Sequence, residues 1–362
     1  MKRQAVLLTT AAALSAVAIY SLTRSDKAEV KSVTLLSDPY HLDKIYRSME
    51  GPFSISRGIQ LTASSKASLE WVTGVEMQVV DATKQKPVSQ EFFCHSNLTF
   101  AEHSVTPMQY NQRDGGRTHF DWRLFTLVPG RLSIQLPEGF GMLVPGGASL
   151  DYLTMSLNMN ATRQPVDVRM RTLVHTITAG QPGAPTKALF RRALYVLQPQ
   201  RQAASSAFGA MDKVADHVGA GCADGSCKVN WSAVSSVGKA GKGQTPHWMV
   251  PQGRHTYTTD ITPQLNLPFD TTIHYATIHV HPYASSMELR DVTTGTTVLR
   301  LGARDWPDRL GVAHVDEVKS IEGIPIFRGH QYELTTQYDN ISSGDTDAMA
   351  ILYLYLLEKS LT

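Results

Sequence analysis

The sequence predicts an all-β chain built from two tandem antiparallel β-sandwiches of jelly-roll type. Three observations carry this. Short β-branched runs alternate polar and apolar residues, as in Trp71 to Val80 (WVTGVEMQVV). Turn residues punctuate those runs throughout, with 26 glycines and 18 prolines among 362 residues. Apolar spacing of helical period is hard to find in the same stretches. Apolar residues make up 42% and charged residues 18%, which is enough for sizeable cores and excludes wholesale disorder. A net charge of +2 gives no electrostatic reason for a nucleic-acid partner.

Lys2 and Arg3 precede an apolar run from Ala5 to Leu22, and polar residues Thr23 to Lys27 follow. Residues 1–29 therefore read as an export signal or an N-terminal membrane anchor. Ala16-Val17-Ala18 offers a cleavage point, whereas continuation through Ile19, Tyr20 and Leu22 favours an anchor. Either route places the body in an exported compartment, periplasmic or extracellular, where disulfides form.

Residues 30–197 read as the first sandwich. After Trp71 to Val80 come strands beginning at Phe92 and covering Arg123 to Val128, Arg131 to Leu136, Tyr152 to Met159, Arg169 to Ile177 and Ala188 to Leu197. Residues 198–246 change composition toward Ala, Ser, Gly, Gln and Lys and read as a linker or insertion, with a short helix over Ala203 to Val218. Cys222 and Cys227 frame CADGSC, a local disulfide loop, with a metal pair as the alternative reading. Residues 247–362 read as the second sandwich, with strands at Thr256 to Ile261, Ile273 to His281, Ser286 to Asp291, Thr297 to Leu301, Gln331 to Tyr338 and Met349 to Leu357.

The segment Ile273 to His281 is the richest in chemistry. Side chains alternate faces along a strand, so Tyr275, Thr277, His279 and His281 share one face and Ala276, Ile278 and Val280 the other. The apolar set belongs in a core. Two imidazoles at i and i+2 form a bidentate platform for copper, zinc or iron, or else simply a solvated polar face. Met349 opens the last strand and shares its face with Ile351, Tyr353 and Tyr355. A methionine there is ordinarily core filler, but beside two imidazoles its thioether selects copper.

In order along the chain, Val250-Pro251-Gln252-Gly253, Leu267-Pro268-Phe269-Asp270, His279-Val280-His281, Arg328-Gly329-His330-Gln331, Tyr338-Asp339-Asn340 and Asp347-Ala348-Met349 resemble the catalytic domain of the ascorbate-dependent type II copper monooxygenases. This is the family of the peptidylglycine α-hydroxylating and dopamine β-monooxygenases. The resemblance implies a copper held by His279, His281 and Met349, with Tyr353 lining a substrate pocket. It implies insertion of one oxygen atom into a C–H bond of a small-molecule or peptide substrate. Thr277 stands where an arginine would anchor a substrate carboxylate, so the substrate has no name.

The first region resembles the family's other domain through Val72 to Glu76, Phe93-Cys94-His95, Leu136 to Gly141 and Leu157-Asn158-Met159. Where the resemblance implies three histidines for an electron-transfer copper, this chain carries Cys94, His95 and Asn158. These three form either a different metal site or the remnant of one. With a single copper, an external reductant or an electron-donor protein has to supply the second electron. Two other functions stay open: a non-catalytic copper-binding protein for storage, delivery or electron transfer, and a metal-free β-sandwich that binds a partner or a glycan. No hydrolase signature of the GxSxG, HExxH or P-loop type occurs. Four glycosylation sequons begin at Asn97, Asn160, Asn230 and Asn340 and read as chance occurrences.

Overall fold

A computed structural model describes residues 28–48, 50–61, 68–100, 123–160, 164–199 and 244–359. The N-terminal apolar run, the stretch from Ala203 to Val218, Cys222, Cys227 and Asn230 lie outside the described residues.

The chain is all-β, as its alternation predicts. A ten-stranded sheet is the backbone of the molecule. Along it lie, in spatial order, Lys31–Leu36, Val166–Thr178, Leu69–Asp81, Phe140–Pro145, Lys187–Tyr195, Ala350–Leu357, Thr271–Val280 and Glu317–Ile326. The short strands Tyr40–Leu42 and Ser133–Gln135 pair onto it from the side. A four-stranded sheet (Phe53–Ile59, Leu150–Ser156, Phe93–Phe100, Arg123–Leu127) stacks against it. Tyr152 spans that stack and hydrogen-bonds Thr172 at 2.8 Å. A five-stranded sheet (Gly253–Asp260, Tyr332–Asn340, Ala284–Asp291, Thr296–Asp305, Val312–Val315) belongs to the C-terminal half. All pairings are antiparallel except Lys187–Tyr195 beside Phe140–Pro145.

Lys187–Tyr195, read from sequence with the first sandwich, pairs along seven residues with the last strand, from Leu189 opposite Leu357 to Tyr195 opposite Ile351. Gln264 fastens its end, accepting from the Tyr195 N–H at 2.8 Å and donating to the Tyr195 carbonyl at 2.9 Å. Lys187–Tyr195 thus bridges the two halves, pairing with Phe140 and Gly141 at its start and with the last strand along the rest. Alternation identifies a strand but says nothing about its partner.

Strand ends differ for similar reasons. The strand expected over Tyr152 to Met159 runs from Leu150 to Ser156, because Asn158 turns to bridge Tyr46. Glu317–Ile326 carries no clear strand pattern in sequence, since Gly323 (φ 82°) and Pro325 interrupt it on a sheet edge.

The two halves meet along a polar seam. Asn160 donates to the Leu310 carbonyl and accepts from the Leu310 N–H, each at 3.0 Å. Gln90 donates to the Ala313 carbonyl at 3.3 Å, and Arg309 lies 3.0 Å from Glu91. Gly130 (φ 78°) presses against the His314 backbone, where an added Cβ would come within 2.8 Å. Three of the sequon asparagines are structural. Asn97 and Asn340 are buried, and Asn160 holds the seam.

Candidate metal centre

The central strand Thr271–Val280 is buried on both faces. Ala276, Ile278 and Val280 lie in the core as expected. The opposite row is not solvated: Tyr275 and Thr277 are fully buried, His281 is 3% exposed and His279 is 9% exposed. Continuing that row onto the neighbouring strands, Thr277 pairs with Tyr353 and His279 with Ile351. The first sandwich covers this face. Tyr355 donates to the Leu124 carbonyl at 3.1 Å, and Arg191 donates to Thr126 at 2.8 Å.

At the end of the strand, Pro282 and Tyr283 reverse the chain. Tyr283 adopts φ 72°, a rare conformation for a residue with a Cβ, and its N–H donates to Asp305 at 2.7 Å. The turn sets His281 beside two residues from distant segments. Trp248–Val250 pairs with Thr346–Ala348, with Met249 opposite Asp347, so His247 and Asp347 arrive together. Donor atoms of His247, His281 and Asp347 all lie within 4.8 Å of one another. His281 Nδ1 is 2.8 Å from Asp347 Oδ2. The His281 ring stands 5.5 Å from that of His247 and 5.4 Å from that of His279, nearly perpendicular to each.

Burial governs the charge state here. Desolvation depresses His247 to about 3, and the nearby His281 and His95 push the same way while Asp347 opposes them. His279 falls well below its ordinary value through desolvation first, then through His281, His95 and His247. His95 falls to about 3 through burial, Arg123 and His281. For Asp347, burial pushes upward, but the adjacent His281 outweighs it and leaves the carboxyl below the usual range. A depressed imidazole at His247 and an ionised carboxylate at Asp347 are protonation states that metal ligation requires. His279 Nδ1 is buried and has no hydrogen-bond partner among the described residues, which costs about 1–3 kcal/mol unless a ligand satisfies it.

The sequence-expected residues fall as follows. His279 and His281 are adjacent. Met349 lies across from His281, and its carbonyl accepts from the His281 N–H at 3.3 Å and the Tyr338 hydroxyl at 2.9 Å. Its half-buried side chain packs on the main core. Tyr353 is buried two rungs along the row, with the Arg191 guanidinium 4.4 Å from its ring centre. Cys94 and His95 touch, Nδ1 to Sγ at 3.3 Å, and Cys94 lines the same small cavity as His279 and His281. Leu157 and Met159 line it too, whereas Asn158 donates to the Lys44 carbonyl at 2.9 Å. Cys94 from one expected site and His279 and His281 from the other thus line one cavity, without Asn158 or Met349. His247 and Asp347 were not read as ligands, because only strand pairing reveals that they are neighbours.

The donors are two imidazoles and a carboxylate, a set that copper, zinc or iron each accepts, and Cys94 and Met159 line the adjoining cavity.

No family model and no curated protein matches the chain. Among solved structures it is similar to PNGase F, a glycosylasparaginase from Flavobacterium meningosepticum, at 9% identity and TM-score 0.36 over 91% of this chain and 96% of that one. A structure of peptide-N(4)-(N-acetyl-β-D-glucosaminyl)asparagine amidase gives 8% and 0.35 over 90% and 96%. The major capsid protein P2 of bacteriophage PM2 gives 10% and 0.29 over 90% and 99%.

Proposed function

We propose that this protein binds a transition metal, copper by preference, at His247, His281 and Asp347, with His279 beside them. The observation that carries this reading is the meeting of three donor atoms within 4.8 Å, drawn from three segments far apart in the chain. His279 Nδ1, buried without a hydrogen-bond partner among the described residues, is costly to keep so, and a ligand or metal beside it offsets that cost. His281 and Asp347 orient one another. His247 immediately precedes Trp248–Val250, which pairs with Thr346–Ala348. The bound ion would therefore tie that short ribbon to the end of the central strand. Copper, when bound, supplies one-electron redox chemistry.

The test is metal content. Protein purified and dialysed against copper should retain about one equivalent, as one such site predicts. His281→Ala and Asp347→Ala should lose it. Retention of copper by both variants refutes the site.

A second reading is hydroxylation of a C–H bond at this centre by an exported protein using an external reductant. Cys94 and Met159, which line one cavity with His279 and His281, favour it, because soft sulfur donors stabilise reduced copper. Tyr353 would then act from the same row as His279, with Arg191 holding its ring. Oxygen uptake with ascorbate in the copper-loaded protein tests it. Absence of uptake leaves the binding reading.

A further inference from the structure

A second cleft, of about 470 Å³, shares no lining residue with the cavity at His279 and His281. Its size falls within the roughly 300–1,000 Å³ of small-ligand sites. It lies where the ten-stranded sheet passes from one half of the chain to the other. There Phe140–Pro145 pairs with Lys187–Tyr195 only at Phe140 and Gly141. Lys319 reaches the cleft from Glu317–Ile326, while Thr73, Gln135 and Glu138 reach it from the first half. Junctions between halves are where small ligands preferentially bind.

The floor is apolar and fixed. Leu136, Pro137, Phe140 and Ile177 line the cleft and are buried. The Phe140 ring centre is 4.2 Å from that of His274 and 4.9 Å from Lys187 Nζ. The polar groups are placed by the backbone. His175 faces Gly74 and Thr176 faces Val72, so Thr73 is the extra residue of a bulge. Bulges re-aim side chains beside binding sites. A Cβ at position 74 would strike the Gln135 carboxamide, so glycine there keeps room for it. His175 is held by Ser32 at 2.9 Å. Glu138 sits in a turn closed by the Phe140 N–H donating to the Pro137 carbonyl at 3.1 Å, with Gly139 at φ 82°.

We infer that this cleft binds a small neutral polyhydroxylated ligand, a short saccharide. Glu138 and Lys319 carry opposite charges, so the lining favours neither an anion nor a cation. Thr73 and Gln135 each donate and accept, Glu138 accepts and Lys319 donates. A ligand whose every polar group also does both, and whose ring presents C–H groups to an apolar floor, matches that set. The inference is independent of the metal-binding reading.

The full chain, treated with EDTA, is titrated calorimetrically with maltose, cellobiose and N,N′-diacetylchitobiose. At least one should bind. Gln135 and Lys319 are exposed, so their truncation leaves the core intact. Gln135→Ala and, independently, Lys319→Ala should weaken that binding about fivefold or more, the worth of a lost hydrogen bond. Circular dichroism confirms that each variant is folded. Absence of binding by all three sugars overturns the inference. So does binding that neither variant weakens, or tighter binding of citrate or of zwitterionic alanine. None of these outcomes bears on copper content, which tests the other site.

Discussion

His281 Nδ1 lies 2.8 Å from Asp347 Oδ2, both largely removed from solvent, although one ends a central strand and the other sits in a three-residue strand near the C-terminus. The pair gives the centre its one carboxylate. Asp347→Asn keeps the shape and removes the charge. Copper affinity should fall by about tenfold to a hundredfold, the range typical for groups that tune a metal site. Competition against a chelator measures it, and an unchanged affinity would remove Asp347 from the site.

Asn160 joins the halves through two hydrogen bonds to Leu310. Asn160→Ala leaves a backbone N–H and a carbonyl without that partner. The expected loss is about 1–3 kcal/mol, read from the urea midpoint. In a glycosylating host, Asn97, Asn160 and Asn340 should carry no glycan on the folded protein, which intact mass reports.

Gly130 combines φ 78° with backbone contact to His314. Gly130→Ala meets both a conformational penalty and a steric one. A destabilisation of about 2 kcal/mol or more is expected, with the thermal midpoint falling accordingly. Gly180→Ala, also at positive φ (86°) but with open space around it, should cost less.

Asp305 anchors the Tyr283 turn, and burial raises its carboxyl to about 6. The folded state therefore holds this proton more tightly than the unfolded chain does. Between about pH 4 and pH 6 the folded form binds more protons, so this group's contribution to stability falls as pH rises. The full effect is about 1–2 kcal/mol after allowance for partial exposure. Asp305→Asn, which still accepts from Tyr283, should abolish that part of the pH slope and match or exceed the parent protein at pH 7. Denaturation curves for the two proteins across that range decide it. A parallel slope in both would mean that Asp305 titrates normally.

The Tyr353 hydroxyl is deeply buried, and its ring packs under Arg191. Tyr353→Phe should leave copper content unchanged. If the hydroxylation reading holds, it should lower turnover without altering copper affinity. Oxygen uptake alongside metal analysis separates those two results.

The sequence by itself determined the fold class and the inner face of the central strand. Alternation and turn residues are local signals, and Ala276, Ile278 and Val280 sit in the core where they imply. It also drew notice to His279 and His281 as neighbours on one face, since a strand's geometry enforces that pairing at i and i+2. Tertiary structure decided the rest. It brought His247 and Asp347 to His281, set Cys94 and Met159 around one cavity with His279 and His281, and paired Lys187–Tyr195 with the last strand. It also covered the imidazole face that alternation alone leaves open to water. Strand pairing between distant segments is fixed by packing and turn geometry over the whole chain, and no local pattern in His247 or Asp347 encodes the other's position.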